Sequence, residues 1–188
     1  TAGGEVPAGT AVERRGARAG DAVFVTGHPG DAVAGRLLPA DARGDAADYL
    51  RGRFHYPEPR TAAGEALRGL ATAMLDVSDG LDQDLRRLAG ASGVGLVLDV
   101  DALPLSPALA AIAGEAAVAH ALTGGDDYEL AFTAPAAATS RVLALADAAG
   151  CAITRIGTVV AGSGVGWRRG GREFAVPGGA WEHFGGGA

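Results

Sequence analysis

The sequence predicts an α/β fold, a layered α/β sandwich with a mixed sheet, and three observations carry that expectation. Short apolar runs bounded by Gly, Pro and Asp alternate along the chain with longer stretches of helical apolar periodicity. The 188 residues, 48% of them hydrophobic, suffice for one domain of ordinary size with a real core. No strand is followed by the glycine fingerprint of a dinucleotide-binding fold, which sets that doubly wound class aside.

Taken in order, residues 1–20 hold turn formers and little periodicity, and read as an extended arm that enters a turn at Gly20-Asp21. Ala22 to Thr26 is a short buried strand. Gly27-His28-Pro29-Gly30 then turns into a helix over 31–38 that Pro39 stops. Residues 40–60 are polar and irregular, with a short helix suggested by Asp41, Asp45 and Asp48, and Pro57-Glu58-Pro59 forces an extended connection. A helix over 61–73 with Leu67 and Leu70 inward leads into a strand over 74–77. Leu81, Leu85 and Leu88 recur at i, i+4 and i+7, the buried face of the next helix, for which Ser78 or Asp79 is the natural N-cap. A strand over 96–100, an Ala-rich helical region to Ala121, an alternating strand after Gly124-Gly125, a helix over 136–149, a strand over 153–160 and a hairpin over 162–176 complete the order.

Composition removes several classes. The net charge is −6 and no broad arginine cluster is present, so nucleic acid is not an expected partner. All 16 basic residues are Arg, which excludes a catalytic lysine and the phosphate loop that ends in Gly-Lys. The single Cys151 excludes an internal disulfide and reads as a small core residue. No leader opens the chain and no apolar run approaches the ~20 residues of a membrane span, so a soluble cytoplasmic protein is expected.

The chemistry concentrates in two acidic stretches. In Asp76-Val77-Ser78-Asp79-Gly80-Leu81-Asp82-Gln83-Asp84, four carboxylates fall within nine residues at a strand-to-helix turn. Three of them are explained by helix capping and the dipole. Asp76 is not, because it precedes the cap in an apolar segment and would be costly to bury unpaired. Asp76 and Asp79 across a sharp turn would also offer the hard oxygens that Mg²⁺ takes up beside phosphates, and both readings stand at this point. The second stretch, Gly124-Gly125-Asp126-Asp127-Tyr128-Glu129, is either a capped structural turn or a functional partner of the first. At the end of the chain, Trp181, His183 and Phe184 either pack over the domain or give a stacking platform.

Both acidic stretches together resemble thiamine-monophosphate kinase, of the aminoimidazole ribonucleotide synthetase superfamily. The resemblance rests on Arg15-Gly16-Ala17-Arg18-Ala19-Gly20-Asp21 leading to Val25-Thr26-Gly27, then Pro57-Glu58-Pro59-Arg60, Asp76-Val77-Ser78-Asp79-Gly80-Leu81, Gly124-Gly125-Asp126-Asp127-Tyr128-Glu129-Leu130 and Trp181-Glu182-His183-Phe184. It implies a fold similar to the C-terminal domain of aminoimidazole ribonucleotide synthetase over 21–188, with 1–20 as the end of a missing N-terminal domain. It implies ATP-dependent phosphorylation of thiamine monophosphate to thiamine diphosphate by in-line transfer, incomplete in this fragment, and a homodimer when the N-terminal domain is present. It further implies that Asp76 and Asp79 are Mg²⁺ ligands, that Ser78 contacts ATP, that Arg14 reaches nucleotide phosphate, that Asp126 lies at the thiamine phosphate site and that Trp181 packs on the substrate. Positioning and metal electrostatics would carry the transfer, with no catalytic residue bonded to substrate. The alternatives are another ATP-using superfamily member acting on a different small molecule, and a non-catalytic module that binds nucleotide or Mg²⁺.

Overall fold

A computed structural model describes residues 5–177. Its centre is a mixed seven-stranded sheet in the order β2-β4-β1-β5-β3-β6-β7. The strands are β1 (Asp21–Thr26), β2 (Ala73–Val77), β3 (Gly95–Asp99), β4 (Glu129–Pro135), β5 (Ile153–Val160), β6 (Gly164–Arg169) and β7 (Arg172–Phe174). Every neighbouring pair runs antiparallel except β3 with β6, which is parallel. β1 lies inside the sheet and is buried along its whole length, which accounts for its unbroken apolar run.

Helices cover both faces of the sheet. On one face α4 (Leu81–Ser92) sets Leu81, Leu85 and Leu88, all fully buried, against Val23, Val25, Leu75, Val77, Leu96 and Leu98 of the strands. On the other, α3 (Thr61–Ala66), α7 (Thr139–Leu143) and α8 (Ala146–Ala149) enclose Phe24 and Phe132, cross-strand partners whose rings stack at 5.1 Å. Beside the sheet, α1 (Asp31–Leu37), α2 (Asp45–His55), α5 (Pro107–Ala113) and α6 (Ala117–Thr123) share a small core of Ala34, Leu50, Leu109 and Ala117.

The predicted layers and strand order along the chain are therefore present, with local differences. The short helix suggested within the polar stretch 40–60 is the eleven-residue α2, which begins at Asp45 and is anchored by Ala47 and Leu50. The helix expected over 61–73 ends at Ala66, because Gly69 adopts a left-handed φ of 79° that starts the turn into β2. The helix expected over 136–149 is split, with α7 and α8 separated by Ala144 and Leu145. The predicted hairpin closes through Gly170 and Gly171, whose φ values of 55° and 76° suit a two-residue hairpin turn. Cys151 packs at the margin of the Phe24 core, and burial pushes its thiol up.

Candidate functional site

The strand order brings the two acidic stretches to one edge of the sheet. β4 lies between β2 and β1 and runs antiparallel to both, so its entrance at Glu129 meets the ends where β2 and β1 finish. Three turns therefore touch: Ser78-Asp79-Gly80 after β2, Gly27 to Gly30 after β1, and Gly124 to Tyr128 before β4. The amides of Asp126 and Tyr128 donate to the carbonyls of Ser78 at 3.0 Å and Val77 at 2.9 Å. Gly125 passes so close that a Cβ there would sit 2.5 Å from the Ser78 carbonyl oxygen. Asp126 and Tyr128 both hold left-handed φ values, 66° and 53°, a conformation that non-glycine residues adopt only when their surroundings enforce it.

Buried carboxyl groups secure these turns. Asp127 is 1% exposed and accepts hydrogen bonds from the amides of Gly30 at 2.7 Å and Ala32 at 3.1 Å, which ties the third turn to the start of α1. Burial raises its pKa to about 7, against the opposing pull of those two amides. Glu129 is fully buried and receives Arg60 through Nε and Nη2, Arg53 through Nη2 and the Thr26 hydroxyl, all within 2.7 Å. The bond to Glu129 holds the Arg60 guanidinium above its ordinary pKa. Behind the turn, Asp31 is buried and accepts from Tyr49 and Ser106. Its pKa rises through burial, and the Tyr49 phenol is pushed up to about 12, chiefly by burial and then by its bond to Asp31.

The first acidic stretch divides its labour. α4 begins after Gly80 with no side-chain cap, so neither Ser78 nor Asp79 caps it as expected. Asp84 instead reaches back from inside the helix, and its Oδ2 accepts the amides of Ser78 and Asp79 at 3.0 Å each. Asp82 accepts the Trp167 indole N–H at 2.7 Å and pairs with Arg86. Asp79 is half exposed and paired with Arg87. Asp76 is exposed, contrary to the expectation of a costly burial: β2 is an edge strand whose alternation turns Ala73, Leu75 and Val77 inward and Asp76 out. Asp76 and Asp126 have no side-chain partner among the described residues, and Asp126 is likewise exposed. The exposed Arg14 follows Glu13, whose carbonyl accepts the Met74 amide at 2.9 Å, so the arm runs along the β2 edge two residues from Asp76. Trp181 lies outside the described residues.

With this arrangement in view, the family model of AIR synthase related protein, C-terminal domain, matches residues 18–168. The chain belongs to that family. It is 48% identical over 139 residues to the thiamine-monophosphate kinase of Escherichia coli O157:H7, a match that covers 70% of this chain and 42% of that protein. The structure is similar to that of thiamine-monophosphate kinase from Stenotrophomonas maltophilia K279a, with a TM-score of 0.80 and 41% identity over 89% of this chain and 55% of that one. It is also similar to AaThiL complexed with AMPPCP and TMP, with a TM-score of 0.72 and 33% identity over 87% of this chain and 52% of that one. The chain thus spans about half the length of the relatives it matches. The resemblance and the fold expected from the sequence are both borne out.

Within this family domain, the residues that sequence reading missed are mostly buried, with the exposed Arg87 as the exception. Asp127 and Glu129 stood in a motif whose exposed member, Asp126, drew attention. Arg53 carried no local sign of its partner Glu129, 76 residues away, whereas Asp84 and Arg87 stand three apart on α4, a spacing at which helical charges pair. The signal for Glu129 was its place at the head of an apolar run, where a carboxylate requires a cation. Among the described residues no three His, Cys, Asp or Glu side chains gather as a metal site. The exposed Asp76 and Asp79 nevertheless suit Mg²⁺ as two hard oxygen donors, since that ion keeps several waters and shares phosphate oxygens.

Proposed function

We propose that this chain is the C-terminal part of an ATP-dependent kinase that phosphorylates thiamine monophosphate to thiamine diphosphate. The observation that carries the reading is the meeting of two exposed carboxylate turns, Asp76 to Asp79 and Asp126, at one sheet edge on a frame of buried carboxyl groups. The relatives are about twice as long, which supports residues 1–20 as the end of an N-terminal domain and 21–188 as the C-terminal domain. A cytoplasmic homodimer is part of the same reading. Among the described residues no helix is long and apolar enough to cross a membrane.

In this reading Asp76 and Asp79 hold Mg²⁺, which when bound neutralises charge on the phosphoryl oxygens. Ser78, on the same turn, contacts ATP. Arg14 on the arm reaches nucleotide phosphate with a bidentate fork. Asp126 orients thiamine monophosphate, held outward by the strained loop, and Trp181 packs on the substrate. Transfer is in line, with the substrate phosphate as nucleophile, so the chain positions and solvates charge and needs no covalent intermediate.

The test is thiamine diphosphate formation from ATP, Mg²⁺ and thiamine monophosphate, by this chain and by a version extended upstream to the length of its relatives. Product from the extended version, reduced about a hundredfold or more by Asp76→Asn or Asp79→Asn, is expected. Undiminished product with both substitutions, or none from either version, overturns the reading.

A further inference from the structure

Arg87 sits where two carboxylates compete for it. Its Nη1 donates to Asp79 Oδ2 and, at 2.8 Å, to Asp84 Oδ1. The two carboxylates differ in kind. The Asp84 side chain is 3% exposed and is fixed by the Ser78 and Asp79 amides on its other oxygen. The Asp79 side chain is 49% exposed and its only charged partner among the described residues is Arg87. Asp76, three residues earlier, has no such cation among the described residues.

We propose that Arg87 is the resident counter-ion of Asp79, and that a divalent cation gains this carboxylate by displacing the guanidinium onto Asp84 alone. The inference rests on the reading of Asp79 as a metal ligand and adds the residue that sets the affinity of that ligand. The exchange is cheap for a structural reason. Arg87 never loses its charge partner, because Asp84 keeps it, and the turn keeps its shape, because the Asp84 bonds to the backbone do not pass through Arg87. A compact double charge with oxygen preference then replaces a diffuse single charge at a half-exposed carboxylate. Asp76, exposed and with no side-chain partner among the described residues, is placed to join it.

Mn²⁺ binding to the protein, measured by calorimetry, reads this directly. Removing a partly exposed ion pair that competes with the cation should tighten Mn²⁺ about two- to fivefold in Arg87→Gln. Arg86→Gln removes a charge from the next residue, which pairs with Asp82 rather than Asp79, and should change affinity less than the Arg87 substitution does. Affinity unchanged or weakened in Arg87→Gln overturns the proposal, and so does equal tightening by both variants, which would indicate a general field. Absence of Mn²⁺ binding in every form instead overturns the assignment of Asp79 as a ligand, and this inference with it. A measurement on the unsubstituted protein covers a variant that fails to fold. The guanidinium resonance of Arg87 in ¹⁵N NMR should move with the Mg²⁺ titration and that of Arg86 far less; an Arg87 resonance unmoved at saturation overturns the displacement.

Discussion

Glu129→Gln isolates the charge that holds the three turns together. The substitution nearly conserves shape, so it opens no cavity, and its cost comes from hydrogen bonding and charge alone. One carboxylate oxygen takes Nη2 of Arg53 and of Arg60; the other takes Nε of Arg60 and the Thr26 hydroxyl. Whichever end becomes the amide NH₂, two donors lose their acceptor and face another donor. The Arg53 and Arg60 side chains are only 13% and 8% exposed, so water compensates them poorly. Breaking a buried pair of this kind costs about 3–5 kcal/mol. At about 2–4 °C per kcal/mol for a chain of this size, the melting temperature should fall by roughly 6–20 °C. Urea unfolding followed by far-ultraviolet circular dichroism gives the loss as a shifted midpoint at constant slope. A loss below about 1 kcal/mol would refute the reasoning, because it would mean that the guanidiniums are solvated or repartnered without Glu129. Arg53→Met and Arg60→Met added to Glu129→Gln should recover part of the loss, since the uncompensated cations are then gone.

Three further outcomes are expected. Because the folded pKa of Asp127 lies at about 7, above an unfolded value of about 4, its contribution is fully present below about pH 4 and is lost as pH rises through about 7. Urea midpoints between pH 4 and 8 should therefore decline more steeply in the unsubstituted protein than in Asp127→Asn, and parallel profiles would count against that origin. Trp167→Phe removes the buried indole bond to Asp82 and should cost about 1.5–3 kcal/mol in the same assay; a change under about 0.5 kcal/mol would show that the bond contributes little. Gly90→Ala, inside α4 with nothing within 4 Å of the added Cβ, should stabilise by about 0.5–1 kcal/mol, whereas destabilisation would mean that this turn of α4 needs glycine.

How much of this was legible follows from the range of the interactions. Leu81, Leu85 and Leu88 declare the buried face of α4 because an amphipathic helix repeats its signal within a few residues, and the β1 run declares a strand for the same reason. The orientation of Asp76 was misjudged because exposure in a strand depends on where the strand lies in the sheet, and β2 is at the edge. The roles of Asp127 and Glu129 were hidden because their partners Gly30, Ala32 and Thr26 stand 95 to 103 residues away. The helix start also differs locally: α4 has no side-chain cap, and Asp84, six and five residues further on, instead accepts the amides of Ser78 and Asp79 themselves.

The same distinction separates the carboxylates by task. Asp84, Asp127 and Glu129 are buried, and their oxygens are engaged by backbone amides or guanidiniums, so none of them has acceptor capacity turned toward solvent. Asp76 and Asp126 are exposed and have no side-chain partner among the described residues, while Asp79 is half exposed and holds an arginine that Asp84 can retain. A carboxylate whose bonds are all internal acts through stability; one that is held rigidly yet left open is available to a ligand. The frame explains why the open ones are rigid. Asp126 takes a left-handed backbone between two anchored neighbours, its own amide bonded to Ser78 and the next side chain buried against α1. Substitution should therefore divide the acidic residues of these motifs into two groups, the buried ones read by unfolding and the exposed ones by ligand affinity, although all six lie within two short stretches of sequence.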